Sequence, residues 1–176
     1  MAALTTTRPA LLRDGSDAAF RAMVHDTLAF AARIEEVRRR FGERIGLSGA
    51  AYTLLITVLH LQGEAGVAVS AVAEHLHVSG SAVTIEAGRL VKLGLLEKGA
   101  DAADRRRVLL RATARAEHLL ASLAPVQAEA NDALFACLDA PGFERFTAAM
   151  RALVGCADDA LALLDASAAR RAAAAG

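Results

Sequence analysis

Three consecutive arginines, Arg105, Arg106 and Arg107, follow two aspartates, Asp101 and Asp104. The runs Leu95-Leu96-Glu97-Lys98 and Val108-Leu109-Leu110-Arg111 flank this polar tip. Together they predict a β-hairpin over 95–111 that lifts a guanidinium cluster away from the body. Such a cluster suits a polyanion: phosphate neutralisation supplies most non-specific affinity for DNA, and a narrow minor groove attracts an inserted Arg. Upstream, Ser79, Ser81 and Thr84 fall on the first turns of one expected helix, with Arg89 further along it. Short hydroxyl side chains at a helix N-terminus can meet phosphates or base edges once that end enters a major groove.

Other constellations carry less chemistry. Glu74-His75-x-His77 has two histidines, but residues two apart on a helix point to different faces and no further ligand stands at metal spacing. Cys137 and Cys156 sit in acidic, apolar helical stretches, so they are expected to be buried thiols rather than redox sensors, and two cysteines make no disulfide framework. No Gly-rich phosphate loop and no Ser/His/Asp arrangement is present, so the reading is not an enzyme and no cofactor is expected.

The elements that must position the basic tip follow from patterning. Ala and Leu are abundant, Trp is absent, and the composition favours helices. Net charge is zero, yet charge is segregated: Ser79 to Arg115 holds eight Lys or Arg against four acids, whereas Glu129 to Asp165 holds seven acids against two arginines. That asymmetry allows nucleic-acid binding at one end only. Residues 1–15 read as a loose arm without the apolar core of a signal peptide, and Ala50 to Leu61 is too short to span a bilayer, so a reducing cytoplasm and no membrane partner are expected. Ser16 is placed to cap a long first helix ending near Gly42, and Ser48 a second, stopped at Gly63. Gly66 to Val69 reads as a short extended piece. Ser70 opens a brief helix to about Leu76, and Ser79 another to about Leu93, with Gly94 just beyond. After the hairpin, Thr113 opens a long helix through Leu138. A last helix runs from about Phe143 to Asp165, and 166–176 reads as a frayed, low-complexity tail.

Two short helices in tandem satisfy the pattern of a helix-turn-helix. Val72, Leu76, Val78 and Val83 supply the clamp, Ala73 is small where the helices approach, and His77 occupies the turn, where positive φ is needed. At this point a family likeness becomes specific. Asp104-Arg105-Arg106-Arg107-Val108-Leu109-Leu110-Arg111-Ala112-Thr113 resembles the wing signature of MarR-family winged helix-turn-helix regulators. Val78-Ser79-Gly80-Ser81-Ala82-Val83-Thr84 resembles the start of that family's recognition helix, and Arg89-Leu90-Val91-Lys92-Leu93-Gly94-Leu95 its lead into the wing. The sequence departs from the pattern at Ile85, where the family often has Arg, at Gly88, where it often has Asp, and at Ala112, where it often has Leu.

The resemblance, covering about 16–165, implies a mainly α fold with a small β-hairpin wing. It implies a winged helix-turn-helix over 47–113, helical dimerisation regions over 16–46 and 114–165, and a homodimer on a pseudo-palindromic double-stranded DNA operator. Carried over by residue, Ser79, Ser81 and Thr84 would face the major groove, with Arg89 near them. Asp104 would orient the wing, Arg106 would enter the minor groove, and Arg105 and Arg107 would meet phosphates or the hairpin. It also implies a ligand-responsive regulator, expected to be a repressor, whose operator is released by a small aromatic acid or phenol. His25, Arg44, Tyr52 and His60, among Phe30, Phe41 and Leu55, are the candidate effector residues, since an Arg and a Tyr hydroxyl can hold a carboxylate while apolar groups take a ring. The alternatives are a winged-helix protein-interaction module that does not bind DNA and a redox-responsive regulator.

Overall fold

Serine and threonine caps set the starts of α-helices at three places in this chain. In the computed structural model, which describes residues 3–101, 104 and 107–174, the Ser48, Ser79 and Thr113 hydroxyls accept the amides of Ala51, Ala82 and Ala116, each three residues on. The chain falls into two compact units, Met1–Ala128 and Glu129–Gly176. In the first, α1 (Ala18–Arg44), α2 (Gly49–Leu61), β1 (Val67–Ala68), α3 (Val69–Leu76), α4 (Gly80–Lys92), β2 (Leu96–Ala100), β3 (Val108–Ala112) and α5 (Ala114–Ala121) follow in order. α6 (Ala124–Leu134) begins in the first unit and continues into the second, whose main element is α7 (Ala140–Ala174). The architecture is mainly helical with one small antiparallel sheet, as a winged helix requires.

The core lies where α2, α3, α4 and the sheet converge. Leu55 and Val58 of α2, Val72 of α3, Leu90 of α4 and Leu110 of β3 have no exposed surface. Burial on this scale stabilises by roughly 1.5–3 kcal/mol for each large aliphatic side chain. The sheet has the order β1-β3-β2. The hairpin runs Leu96↔Ala112 to Ala100↔Val108, and the two-residue β1 pairs with β3 through Val67↔Leu110 and Ala68↔Leu109. Gln62 ties the end of α2 to this sheet, its side-chain carbonyl accepting the Ala112 amide at 2.8 Å.

Several boundaries differ from the sequence reading, each for a local reason. The arm is not loose. Pro9–Leu11 form a 3-10 turn, and Arg13 and Ser16 exchange both backbone hydrogen bonds around Asp14 and Gly15, whose φ values are 51° and 72°. An Asp-Gly pair with both φ positive is the tightest reversal available to a chain. It folds the arm back onto α1, where the buried Asp17 carboxylate accepts the Thr5 amide at 2.7 Å and hydroxyl at 2.6 Å and pairs with Arg21. Asp17 rather than Ser16 therefore occupies the N-cap, while the Ser16 hydroxyl accepts the Ala18 amide.

Gly42 does not stop α1. The helix passes through it because a Cβ there would stand 2.9 Å from the Cβ of Tyr52, so the glycine allows α2 to pack closely. The stop is Gly46, in the left-handed region with φ 75°, where the Gly46 and Leu47 amides bond back to Glu43 and Gly42. Ser70 lies inside α3, which Ala68 caps. The single helix expected from Thr113 to Leu138 is broken at Ser122-Leu123. Pro125 has no amide hydrogen for the Ala121 carbonyl and its ring would collide with it, so α5 ends at Ala121. Finally, α7 continues through Ala174, and the frayed tail expected from residue 166 is helical to that point. Its alanines and arginines are strong helix formers. Among the described residues, no single helix is long and apolar enough to cross a membrane.

Candidate nucleic-acid interface

The α3–α4 pair is held by its turn. His77 adopts φ 52° and ψ 45°, and the His77 and Val78 amides bond to the carbonyls of Glu74 and Ala73. That left-handed residue turns the chain sharply enough for Val72 and Ala73 to pack against the buried Val83, Ala87 and Leu90 of α4. With those three facing inward, Ser79, Ser81, Thr84, Ile85 and Arg89 are exposed. The Ser79 hydroxyl lies 2.9 Å from that of Ser81, the Thr84 hydroxyl donates to the Gly80 carbonyl at 2.8 Å, and Arg89 Nη1 donates to Glu86 Oε2 at 2.9 Å.

The wing is fixed at both ends. At its base, the Thr113 amide donates to the Leu95 carbonyl and its hydroxyl to the Gly94 carbonyl, welding the hairpin to α5. Near the tip, the Arg107 amide donates to the Asp104 carbonyl at 2.9 Å, and the Asp101 amide to the Arg107 carbonyl at 3.1 Å. The Arg107 guanidinium lies 3.8 Å from the Asp101 carboxylate. Arg105 and Arg106 lie outside the described residues. Arg107 and Lys98 of the wing meet Thr84 of α4 and Ser70 of α3 around a concavity of about 380 Å³. The structure thus brings one hydroxyl of the recognition helix and one wing arginine to a shared surface. Lys98 and Ser70 join them there, neither of which the spacing singled out; Lys98 shares the face of Leu96 in β2 and pairs across the hairpin with the buried Leu110, yet is itself exposed.

Behind α4 a second hollow of about 1130 Å³ opens between α1, α2, α3 and α4. Of the four candidate effector residues, only His60 lines it. His25 and Arg44 are exposed positions of α1 outside this lining. Tyr52 is buried, packs edge-on against Phe41, and its hydroxyl accepts a hydrogen bond from Gln127 at 2.7 Å. Burial pushes that hydroxyl's pKa upward, keeping it protonated. The residue that patterning missed is Arg38. Half-buried, it lines the groove with Nε 3.4 Å from the Thr53 hydroxyl, and burial lowers its pKa by disfavouring the charged guanidinium. Its neighbour Arg39 is committed to Glu36 and Glu43, whereas Arg38 feels only the charge of Glu35, which lines the same groove. The run Arg38-Arg39-Arg40 looks like one solvated face, and only the packing of α2 across α1 separates its first member from the rest.

Glu86 belongs to both regions: it lines the groove and holds Arg89 at the exposed face of α4. His60 and His75 face one another across the groove with ring centroids 6.0 Å apart. Among the described residues no cluster of three His, Cys, Asp or Glu could hold a metal ion. Both cysteines are exposed rather than buried: Cys137 lies in the turn between α6 and α7 rather than in a helix, and Cys156 on a stretch of α7 whose residues are all exposed in the single chain.

Comparison with known proteins places these features. The MarR family model matches residues 45–107, from the end of α1 to the wing. No curated protein matches significantly. Among solved structures, a MarR protein from Peptoclostridium difficile is similar with a TM-score of 0.66 at 14% identity, over 84% of this chain and 93% of that one. CouR from Rhodococcus jostii RHA1, bound to p-coumaroyl-CoA, gives 0.63 at 18% identity, over 74% and 90%. Bordetella bronchiseptica BpsR, whose DNA binding is regulated by 6-hydroxynicotinic acid, gives 0.59 at 18% identity, over 74% and 91%. At these identities the likeness is one of fold.

Proposed function

We propose that this chain, whose residues 45–107 are a MarR-family winged helix-turn-helix, is a transcriptional repressor that binds a pseudo-palindromic operator as a homodimer and releases it when a small aromatic acid enters the α1–α4 groove. One observation carries the DNA half of this reading: Thr84 of α4 and Lys98 and Arg107 of the wing converge on one concavity, so a helix and a cationic hairpin address the same polyanion. In the bound state α4 enters the major groove through Ser79, Ser81, Thr84 and Arg89. The wing tip, Asp104 to Arg107, follows the backbone, with Arg106 in the minor groove.

The effector half rests on Arg38. A guanidinium half-removed from water, with only the charge of Glu35 acting on it from beyond ion-pair distance, holds an incoming carboxylate more tightly than an exposed one, and Ile34, Leu54 and Ile56 offer apolar surface to a ring. The 6-hydroxynicotinic acid that regulates BpsR belongs to this chemical class. Because Val78, Ala82, Val83 and Glu86 line the same groove, a ligand there touches the back of α4 and the carboxylate that holds Arg89. Occupancy and operator binding are then coupled through the placement of one helix.

The deciding measurement is binding to duplex DNA taken from upstream of the chain's own coding region, with and without a panel of aromatic acids. Specific, salt-dependent binding is expected. Arg106→Ala should weaken it and make the salt slope shallower by about one counterion. An acid that raises the melting temperature should lower operator affinity, and Arg38→Met should abolish both effects while leaving DNA binding intact. Absence of affinity for any duplex would leave a winged-helix interaction module. Failure of every acid would remove the effector assignment alone.

A further inference from the structure

The outward stripe of α4 runs Ser81, Thr84, Ile85, Gly88, Lys92, at helical spacings of three and four. Its hydroxyls are already engaged within the chain. Those of Ser79 and Ser81 lie 2.9 Å apart, Ser79 also takes the Ala82 amide, and Thr84 donates to Gly80. Arg89 beside the stripe holds Glu86. Between these hydroxyls, which keep only lone pairs to offer, and the exposed Lys92 at its end, the stripe presents an apolar stretch. Ile85 is 61% exposed, and one turn further on Gly88 leaves a notch in which an added Cβ would meet nothing within 4 Å.

A single exposed aliphatic side chain is ordinary on a protein surface. The position of Ile85 is what carries meaning. It follows Thr84, which shares a concavity with Lys98 and Arg107, so the stripe borders the cationic side of the domain. In the major groove of B-DNA, the one apolar group displayed by the base pairs is the C5 methyl of thymine. We propose that Ile85 is a specificity-determining residue that reads a thymine methyl, with Gly88 admitting the close approach of that base edge. The assignment rests on the DNA-binding reading above. It adds an apolar contact to the polar ones this helix offers, because an isoleucine side chain has no hydrogen bond to offer a guanine.

The test uses the full chain and a duplex selected by it from a randomised pool, with each thymine of the selected half-site replaced singly by deoxyuridine, which lacks only the methyl. For wild type, at least one substitution should weaken binding about fourfold, the factor equivalent to the roughly 0.8 kcal/mol carried by one buried carbon. Ile85→Ala should bind the thymine duplex as weakly as wild type binds the uracil one, and should ignore that substitution. Ile85→Val should fall between them. Ile85 is exposed, so an unchanged melting temperature confirms that the variants are folded. If no thymine shows a methyl effect, or if Ile85→Ala keeps the full effect, the assignment is overturned while DNA binding stands. If the pool yields no preferred duplex, sequence reading fails and the assignment fails with it.

Discussion

Gly88, like Gly155 of α7, is a glycine whose presence the chain's own packing does not require. It stands mid-helix in α4, where glycine costs up to about 1 kcal/mol relative to alanine, and a Cβ would have open space. Gly88→Ala should therefore raise stability by about 0.5–1 kcal/mol, seen as a melting temperature higher by a few degrees. If the notch receives a base edge, the same variant should bind the selected duplex more weakly than wild type. A variant that is both more stable and equally tight on DNA would show the notch to be idle. At this scale the sequence was partly transparent. Capping by Ser48, Ser79 and Thr113, and the turn at His77, depend on local geometry, and local residues specify them. The groove residues depend on which α1 face meets α2. Spacing alone therefore favoured Arg44 and Tyr52, whereas packing turned Arg38 inward and sealed Tyr52 against Phe41 and Gln127.

Among the elements, the N-terminal arm behaves least as its composition suggests. Two hydrogen bonds from Thr5 and an ion pair with Arg21 converge on Asp17, and the Thr5 hydroxyl is the chief cause that holds this carboxyl below its ordinary pKa. A depressed folded-state pKa means that the clasp is fully formed above the unfolded value, near 4, and is lost as pH falls through the lower folded one. Hydrogen exchange should find the Thr5 amide protected at neutral pH and released in strong acid. Asp17→Asn should release it at neutral pH as well, with faster tryptic cleavage after the exposed Arg13. Equal protection in the variant would mean that the Asp14-Gly15 turn alone holds the arm. That turn was legible as an Asp-Gly pair, and the α5–α6 break as Pro125. Both signals are single dipeptides or residues set inside stretches whose periodicity pointed the other way. The lack of a continuous apolar run made residues 1–15 look loose, although the buried Asp17 carboxylate holds Thr5.

At the scale of the whole molecule, the question is what covers the outer helices. α7 runs for 35 residues, yet none of the apolar side chains Phe143, Phe146, Met150, Leu153, Leu161 and Leu164 is buried. Met23, Val24 and Leu28 of α1 are exposed too. Exposed apolar stripes on each of these helices suit an association face, and a twofold dimer is the commonest way to close one. A dimer would also supply the second α4 that a palindromic site demands, about one DNA turn away. Sedimentation of the full chain should therefore give a dimer. Replacing Leu161 and Leu164 together by Glu should give a folded monomer, because both side chains are exposed and the substitutions leave the core of the first unit untouched. The monomer keeps one α4 and one wing, so non-specific, salt-sensitive binding should persist. Operator affinity should drop by about a hundredfold or more, since the second half-site is no longer held at high effective concentration. A wild-type monomer that still protects a full palindrome would rule out this arrangement. A double variant that stays dimeric would move the interface from the C-terminal half of α7 to its first turns or to α1.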